Sequence, residues 1–254
     1  MLRTFFFISA LLLSSMRSNA TELPSQLLLA ATDWCPYSCS DSQHGRGIVA
    51  DYLTKVFEQA GIALDIRFLP WSRALIAANT GAVDGLLTAV AEEAPQLLLP
   101  QTATMLYQDC FFVKPSDSWH FDGIESLHNV RLAYIKDYGY NEPVNSYLLN
   151  PPQQARFFEV TGADPSLRMI RLIHAGRADV LIEEKRVASW ASARLNDRNQ
   201  HLKQAGCLQG NPFYVALNPQ APLATEIIRL LNEVLQHPNN LQLLEQLTQR
   251  YTQH

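Results

Sequence analysis

The sequence predicts an α/β protein built as two similar lobes, and three observations carry that prediction. The first is an internal repeat. Arg73-Ala-Leu-Ile-Ala-Ala-Asn-Thr-Gly81-Ala-Val-Asp84-Gly-Leu-Leu and Arg168-Met-Ile-Arg-Leu-Ile-His-Ala-Gly176-Arg-Ala-Asp179-Val-Leu-Ile place Arg, Gly and Asp at identical spacing. Gly81 and Gly176 stand where a helix would end in a left-handed cap, a backbone state that glycine enters without steric cost. The second is the pair of short apolar runs that follow, Val83 to Leu87 and Val180 to Ile182, which read as buried parallel strands. The third is a set of helical spacings. Ile48, Val49, Tyr52, Leu53, Val56, Phe57 and Ala60 recur on one helical face, and Gly61 stops the run.

Taken in order, Leu27 to Ala31 is a strand that ends at Thr32-Asp-Trp-Cys-Pro-Tyr37, an aromatic rim of the kind found where open α/β sheets bind ligands. Ile62 to Phe68 alternates as a strand, and Pro70 opens the helix of the first repeat. After Thr88, the stretch from Ala89 to Pro95 reads as a helical turn or loop. Asp109 to Lys114 and Pro212 to Leu217 are extended and aromatic. Val130 to Ile135 and Arg156 to Val160 are strands around a short helix near Asn145 to Leu149. Asp164 reads as the cap of the second repeat's helix, just before Pro165. Val187 to Leu195 is helical, and a strand follows before Cys207. Leu223 to Leu235 and Leu241 to Tyr251 are helices parted by His237-Pro238.

Residues 1–20 read as an export signal: Arg3, the apolar stretch Phe5 to Leu13, then Ser18-Asn19-Ala20 as a cleavage site. The apolar run is far shorter than the roughly 20 residues of a membrane span, and no Cys follows it to take a lipid, so no membrane anchor is expected. Leaving out Arg3 and Arg17, 18 of the 20 basic residues face 24 acidic ones, a formal charge near −6. That balance argues against nucleic acid as a partner, which needs clustered Lys and Arg.

Four cysteines in an exported chain read as disulfides, and four allow three connectivities. Cys35 and Cys39 can close a small local loop. Cys110 would then pair with Cys207, removing about 4–5 kcal/mol of unfolded-chain entropy in the loop-closure model. The Cys-Pro-Tyr-Ser-Cys stretch has one residue too many for thioredoxin-type redox chemistry. The seven His residues show no metal-ligand spacing. Neither a nucleophile elbow nor a phosphate loop is present, and no metal or cofactor is expected.

The order of elements resembles the periplasmic solute-binding proteins of the amino-acid type. The stretches that carry the resemblance are Trp34-Cys-Pro-Tyr37, Leu69-Pro-Trp-Ser-Arg-Ala-Leu75, Gly81-Ala-Val-Asp84, Lys136-Asp-Tyr-Gly-Tyr140, Gly176-Arg-Ala-Asp-Val-Leu-Ile-Glu-Glu184 and Phe213-Tyr-Val-Ala-Leu217. The resemblance implies a two-lobed periplasmic-binding-protein fold, with two crossing strands and a small solute held in the cleft. It divides the chain into a signal peptide (1–20), a first lobe made of 21–111 and 211–254, and a second lobe of 112–210. It also implies a periplasmic monomer that serves an inner-membrane ABC-type transporter or a sensor. The alternative is a lyase or dehydratase built on the same fold, needing one placed acid, for which Glu183 or Glu184 stands available.

Amino-acid-binding members follow the first-repeat strand with Thr and then an Arg that grips the ligand carboxylate. Thr88 stands there, but Ala89-Val-Ala-Glu-Glu-Ala94 contains no Arg, and a carboxylate ligand would meet Glu92 or Glu93 if either points inward. In the second lobe Glu184 occupies the position that holds a ligand amine. Arg73 is the nearest candidate for a moved carboxylate partner, by bidentate contact; it can equally be a solvated residue of a first helical turn. Trp34, Tyr37 and Trp71 offer aromatic faces to a ligand, or pack in the core. Tyr138 and Tyr140 follow a second-lobe strand and line the cleft on the same reasoning. Asp84 and Asp179 read as structural, at the turn before each strand.

Overall fold

The computed structural model describes residues 23–41, 43, 45–136, 138–153, 155–162, 164–195 and 201–252. The expected export signal lies outside the described residues. Among those described, no helix is long and apolar enough to cross a membrane.

The first lobe begins with β1 (Gln26–Ala31), α1 (Ile48–Gln59), β2 (Ala63–Phe68), α2 (Trp71–Asn79), β3 (Gly85–Ala89) and β4 (Met105–Tyr107). The chain then forms β5 (Asp109–Val113), a 3-10 turn at Ile124–Leu127, β6 (Arg131–Ile135), α3 (Val144–Leu149), β7 (Arg156–Val160), α4 (Pro165–His174), β8 (Val180–Glu184), α5 (Lys185–Ala193) and β9 (Lys203–Cys207). It returns through β10 (Asn211–Leu217), α6 (Ala224–Val234) and α7 (Pro238–Thr252).

Two sheets result, with strand orders β2-β1-β3-β10-β4 and β7-β6-β8-β5-β9. They are built alike. In each, three parallel strands are followed by one antiparallel strand, and the fifth strand runs antiparallel to that fourth one. β10 sits in the first sheet as β5 sits in the second, so each lobe receives its fourth strand directly after the chain crosses over. Sheet membership puts the first crossing at Gln108, between β4 and β5, and the second at 208–210. The expected division at 111 therefore falls inside β5, all five residues of which are buried in the second sheet. The sequence reading does not identify β4, because three residues are too few to show a period.

The repeat is visible in the hydrogen bonding. Asp84 accepts the Leu28 N–H at 2.7 Å and returns its own N–H to the Leu28 carbonyl at 2.8 Å. Asp179 does the same with Arg131, at 2.7 and 2.9 Å. Each Asp thus satisfies a backbone donor on the middle one of its lobe's three parallel strands, β1 or β6, where an unpaired N–H would cost free energy. Asp179 adds an ion pair to the Arg131 guanidinium at 2.6 Å, which holds its carboxyl below the usual range. Gly81 and Gly176 adopt positive φ, 74° and 66°, as their cap positions require. The first-repeat strand starts later than expected, at Gly85, because the Asp turn occupies the two preceding residues, while the second-repeat strand starts at Val180 as expected.

The buried apolar residues form clusters on both faces of each sheet. Val187, at the start of α5, packs with first-lobe residues such as Tyr37 and Phe213, so α5 ties the second lobe to the first. Both expected disulfides are present: Cys35 to Cys39, and Cys110 to Cys207 between paired positions of β5 and β9. Asp164 precedes α4 as expected but does not cap it. Its backbone is left-handed at φ 46°, and its carboxylate bonds to Arg194 at 2.8 Å.

Candidate functional site

Where the first-lobe strands end, the chain exposes polar and aromatic side chains to the other lobe. Thr32 and Trp34 follow β1, Trp71 opens α2, Thr88 and Ala89 close β3, and Tyr107 ends β4. With Val90, Glu93 and Phe213 they line a cavity of about 70 Å³, and the second lobe closes it with Tyr138 and Gly139, just beyond β6. Tyr138 of the second lobe and Thr32 of the first both line this chamber. Thr32, Trp71 and Tyr138 are shared with a larger cleft of about 550 Å³, whose wall carries Asp33, Ser40, Ser72, Lys136, Ser166 and Arg194. The arrangement is a small aromatic chamber adjoining a larger cleft of mixed polar and apolar lining.

The rings form a connected box. Trp34 stacks on Tyr37 at 4.4 Å between centroids and meets Phe213 edge-on at 5.6 Å and Tyr107 at 6.2 Å. Behind them, the Tyr107 hydroxyl donates to Asn141 Oδ1 at 2.7 Å. Asn141 donates in turn to the Gln209 carbonyl at 3.2 Å, beside the second crossing. The box is therefore anchored to both lobes.

Among the described residues, Glu93 is the one charged side chain of the chamber wall. Its carboxyl lies against Gly139 of the other lobe, and the nearby Gly139, Trp71 and Val90 N–H groups act to lower it. Burial still pushes it up to about 7, because those groups do not replace the lost water, and the Glu92 charge acts in the same direction. A Cβ on Gly139 would lie 2.1 Å from Glu93 Oε1, so the glycine makes room for this carboxyl.

Of the expected site residues, Trp34, Trp71, Thr88 and Tyr138 come together on the chamber wall. The other four do not. Tyr37 is fully buried behind Trp34, and its hydroxyl accepts from Arg186 at 3.0 Å. Tyr140 is buried and accepts the Ile135 N–H at 2.8 Å. Arg73 is exposed on α2 and lines neither the chamber nor the cleft. Glu184, 1% exposed, caps α5: its carboxylate accepts the N–H groups of Arg186 at 2.6 Å and Val187 at 3.0 Å. Glu183 is likewise absent from the wall, bonded to Ser166 at 2.6 Å. The sequence reading does not single out Thr32, Tyr107, Gly139 or Phe213. Two of these lie in the quoted Lys136 to Tyr140 and Phe213 to Leu217 stretches, which was the signal available for them. The inward turn of Glu93 is the decisive feature, and its place after Thr88 was the clue.

No protein-family model matches the chain, and no curated protein does. Its fold is shared with solved structures. An ancestral arginine-binding protein bound to glutamine superimposes with a TM-score of 0.71 at 13% identity, over 91% of this chain and 100% of that one. A histidine kinase sensor domain with similarity to periplasmic binding proteins gives 0.72 at 17%, over 89% and 95%. The ancestral amino acid-binding protein AncCDT-1, a precursor of cyclohexadienyl dehydratase, gives 0.69 at 16%, over 90% and 95%. The chain thus has the two-lobed periplasmic-binding-protein fold.

Proposed function

We propose that the protein captures a small polar solute, amino-acid-like or related, between its lobes in the periplasm, and presents the closed form to a membrane transporter or sensor. The observation that carries this reading is the aromatic chamber at the strand ends of the first lobe, closed by Tyr138 and Gly139 of the second. A solute lying there touches both lobes, and so binds the closed form better than the open one, which is the condition for a ligand to shift that equilibrium. The solved structures of the same fold include binding proteins and a sensor domain, which supports both destinations for the signal.

A second reading, a lyase on this fold, draws on one observation: Glu93 is a carboxyl held near 7 in an enclosed wall, the property a general acid needs. The acid expected at Glu183 or Glu184 is not at the chamber. Thermal-shift screening of a library of small solutes, with Trp34→Ala as control, tests the first reading. A solute that stabilises the wild type but not the variant supports it. Recovery of that solute chemically changed after incubation transfers the assignment to the lyase.

A further inference from the structure

We infer that the solute is an organic cation, an amine or quaternary ammonium compound whose charged head sits in the aromatic chamber against the Glu93 carboxylate. This rests on the solute-binding reading and adds the charge of the ligand to it. The chamber wall supplies two things that attract a positive charge. Trp34, Trp71, Tyr107, Tyr138 and Phe213 present rings, whose faces carry negative potential. Glu93 supplies a carboxyl, raised by burial in the empty site, whose ionised form a bound cation would favour, and among the described residues no lysine or arginine lines the wall beside it. An anionic solute would be buried among rings and beside a carboxyl with no cation to receive it, which is strongly unfavourable.

The carboxyl is also built into the site. Gly139 leaves it space that any side chain would fill. The N–H groups near it, of Gly139, Trp71 and Val90, are neutral, so a proton or a bound cation must balance the carboxylate charge, and a cation in the chamber displaces the proton. The size of the chamber, about 70 Å³, suits a compact ammonium head. The rest of the solute passes Thr32, Trp71 and Tyr138 into the outer cleft, where Ser40, Ser72 and Ser166 offer hydroxyls. A simple latch between lobes would need the Glu93–Gly139 contact alone. It would need neither the ring box nor the cavity in front of the carboxyl.

The test is calorimetry on the full mature chain with three groups of probes. The cations are tetramethylammonium, putrescine, agmatine and L-arginine; the anions are succinate and acetate; the neutral probes are glycerol and urea. The expected result is binding by at least one cation and by neither anion. Glu93→Gln, which keeps the shape of the side chain, then weakens that cation at least tenfold while circular dichroism remains that of the wild type. A second variant, Trp34→Leu, reports on the ring box and should weaken the same cation. Binding of an anion or neutral probe with no cation overturns the charge assignment and leaves solute binding standing. Equal cation affinity in wild type and Glu93→Gln also overturns it. Failure of all eight probes overturns the charge assignment, and the wider solute library then decides the solute-binding reading separately.

Discussion

The Glu93 carboxyl of the first lobe lies against Gly139 of the second, so close that a Cβ at Gly139 would stand 2.1 Å from Glu93 Oε1. This contact is one of the points where closure of the lobes and the chemistry of the chamber are the same event. A methyl group on Gly139 must push either the carboxyl or the second lobe away. Gly139→Ala is therefore expected to weaken solute binding at least tenfold and to enlarge the radius of gyration in small-angle scattering. Its melting temperature should stay within a few degrees of wild type, since the residue lies between lobes and outside either core. Unchanged scattering and affinity would show that the chamber tolerates the group.

Four carboxyls drawn out of water set a pH dependence of one sign, Glu184 being raised by burial along with the three that follow. Burial pushes Glu93 and Asp109 up to about 7 and Glu183 up to about 8. The folded state then holds protons that the unfolded state has released, so stability is full below the unfolded values near 4 and is lost as pH rises through 7 to 8. Asp179, held low by Arg131, acts with the opposite sign and in a more acid range. The solute-free protein should melt at a lower temperature at pH 8.5 than at pH 5.5. Scanning calorimetry at constant ionic strength checks this, and a rise over the same interval contradicts the burial of these groups.

Glu184 is expected to act on stability. Its carboxylate caps α5, and Glu184→Ala leaves the Arg186 and Val187 N–H groups without their acceptor. Loss of an N-cap costs about 0.5–2 kcal/mol, or roughly 1–8 °C in a chain of this size. Solute affinity should change less than threefold, because the residue is absent from the chamber wall. Thermal melts and calorimetry on the same preparation separate the two effects. A large loss of affinity at unchanged melting temperature would return Glu184 to the site.

The equivalent roles of Asp84 and Asp179 lead to a paired expectation. Asp84→Ala strands the Leu28 N–H and Asp179→Ala strands the Arg131 N–H. Each should cost about 1–3 kcal/mol, the price of a buried or half-buried donor left unsatisfied. Urea unfolding measures both, and a near-zero effect at either position would mean that water replaces the carboxylate there.

What was legible in the sequence follows from how each feature is encoded. Gly81 with Asp84, and Gly176 with Asp179, are local signals: a left-handed cap and a strand-starting turn need those residue types at that spacing, so the two-lobed α/β plan could be read from the repeat. The cysteine pairing was legible because a short loop at Cys35–Cys39 leaves one partner for Cys110. The crossing at Gln108 was not, since β4 is too short to show alternation. Side-chain direction was the larger difficulty. Glu184 and Arg73 sit at element boundaries where sequence places a residue near a cleft without fixing where it points. Glu184 turns back onto its own helix, and Arg73 turns to solvent. Glu93 turns inward beside Trp71 and Gly139, which come from two separate parts of the chain, a convergence that no local pattern records.

Native mass spectrometry of the gently purified chain, compared with Trp34→Ala, tests solute capture between the lobes most directly. The account expects one small molecule per wild-type chain, released on denaturation at its original mass, and none on Trp34→Ala. A wild-type chain that carries no adduct after incubation with the stabilising solute, or an adduct retained equally by Trp34→Ala, would contradict it.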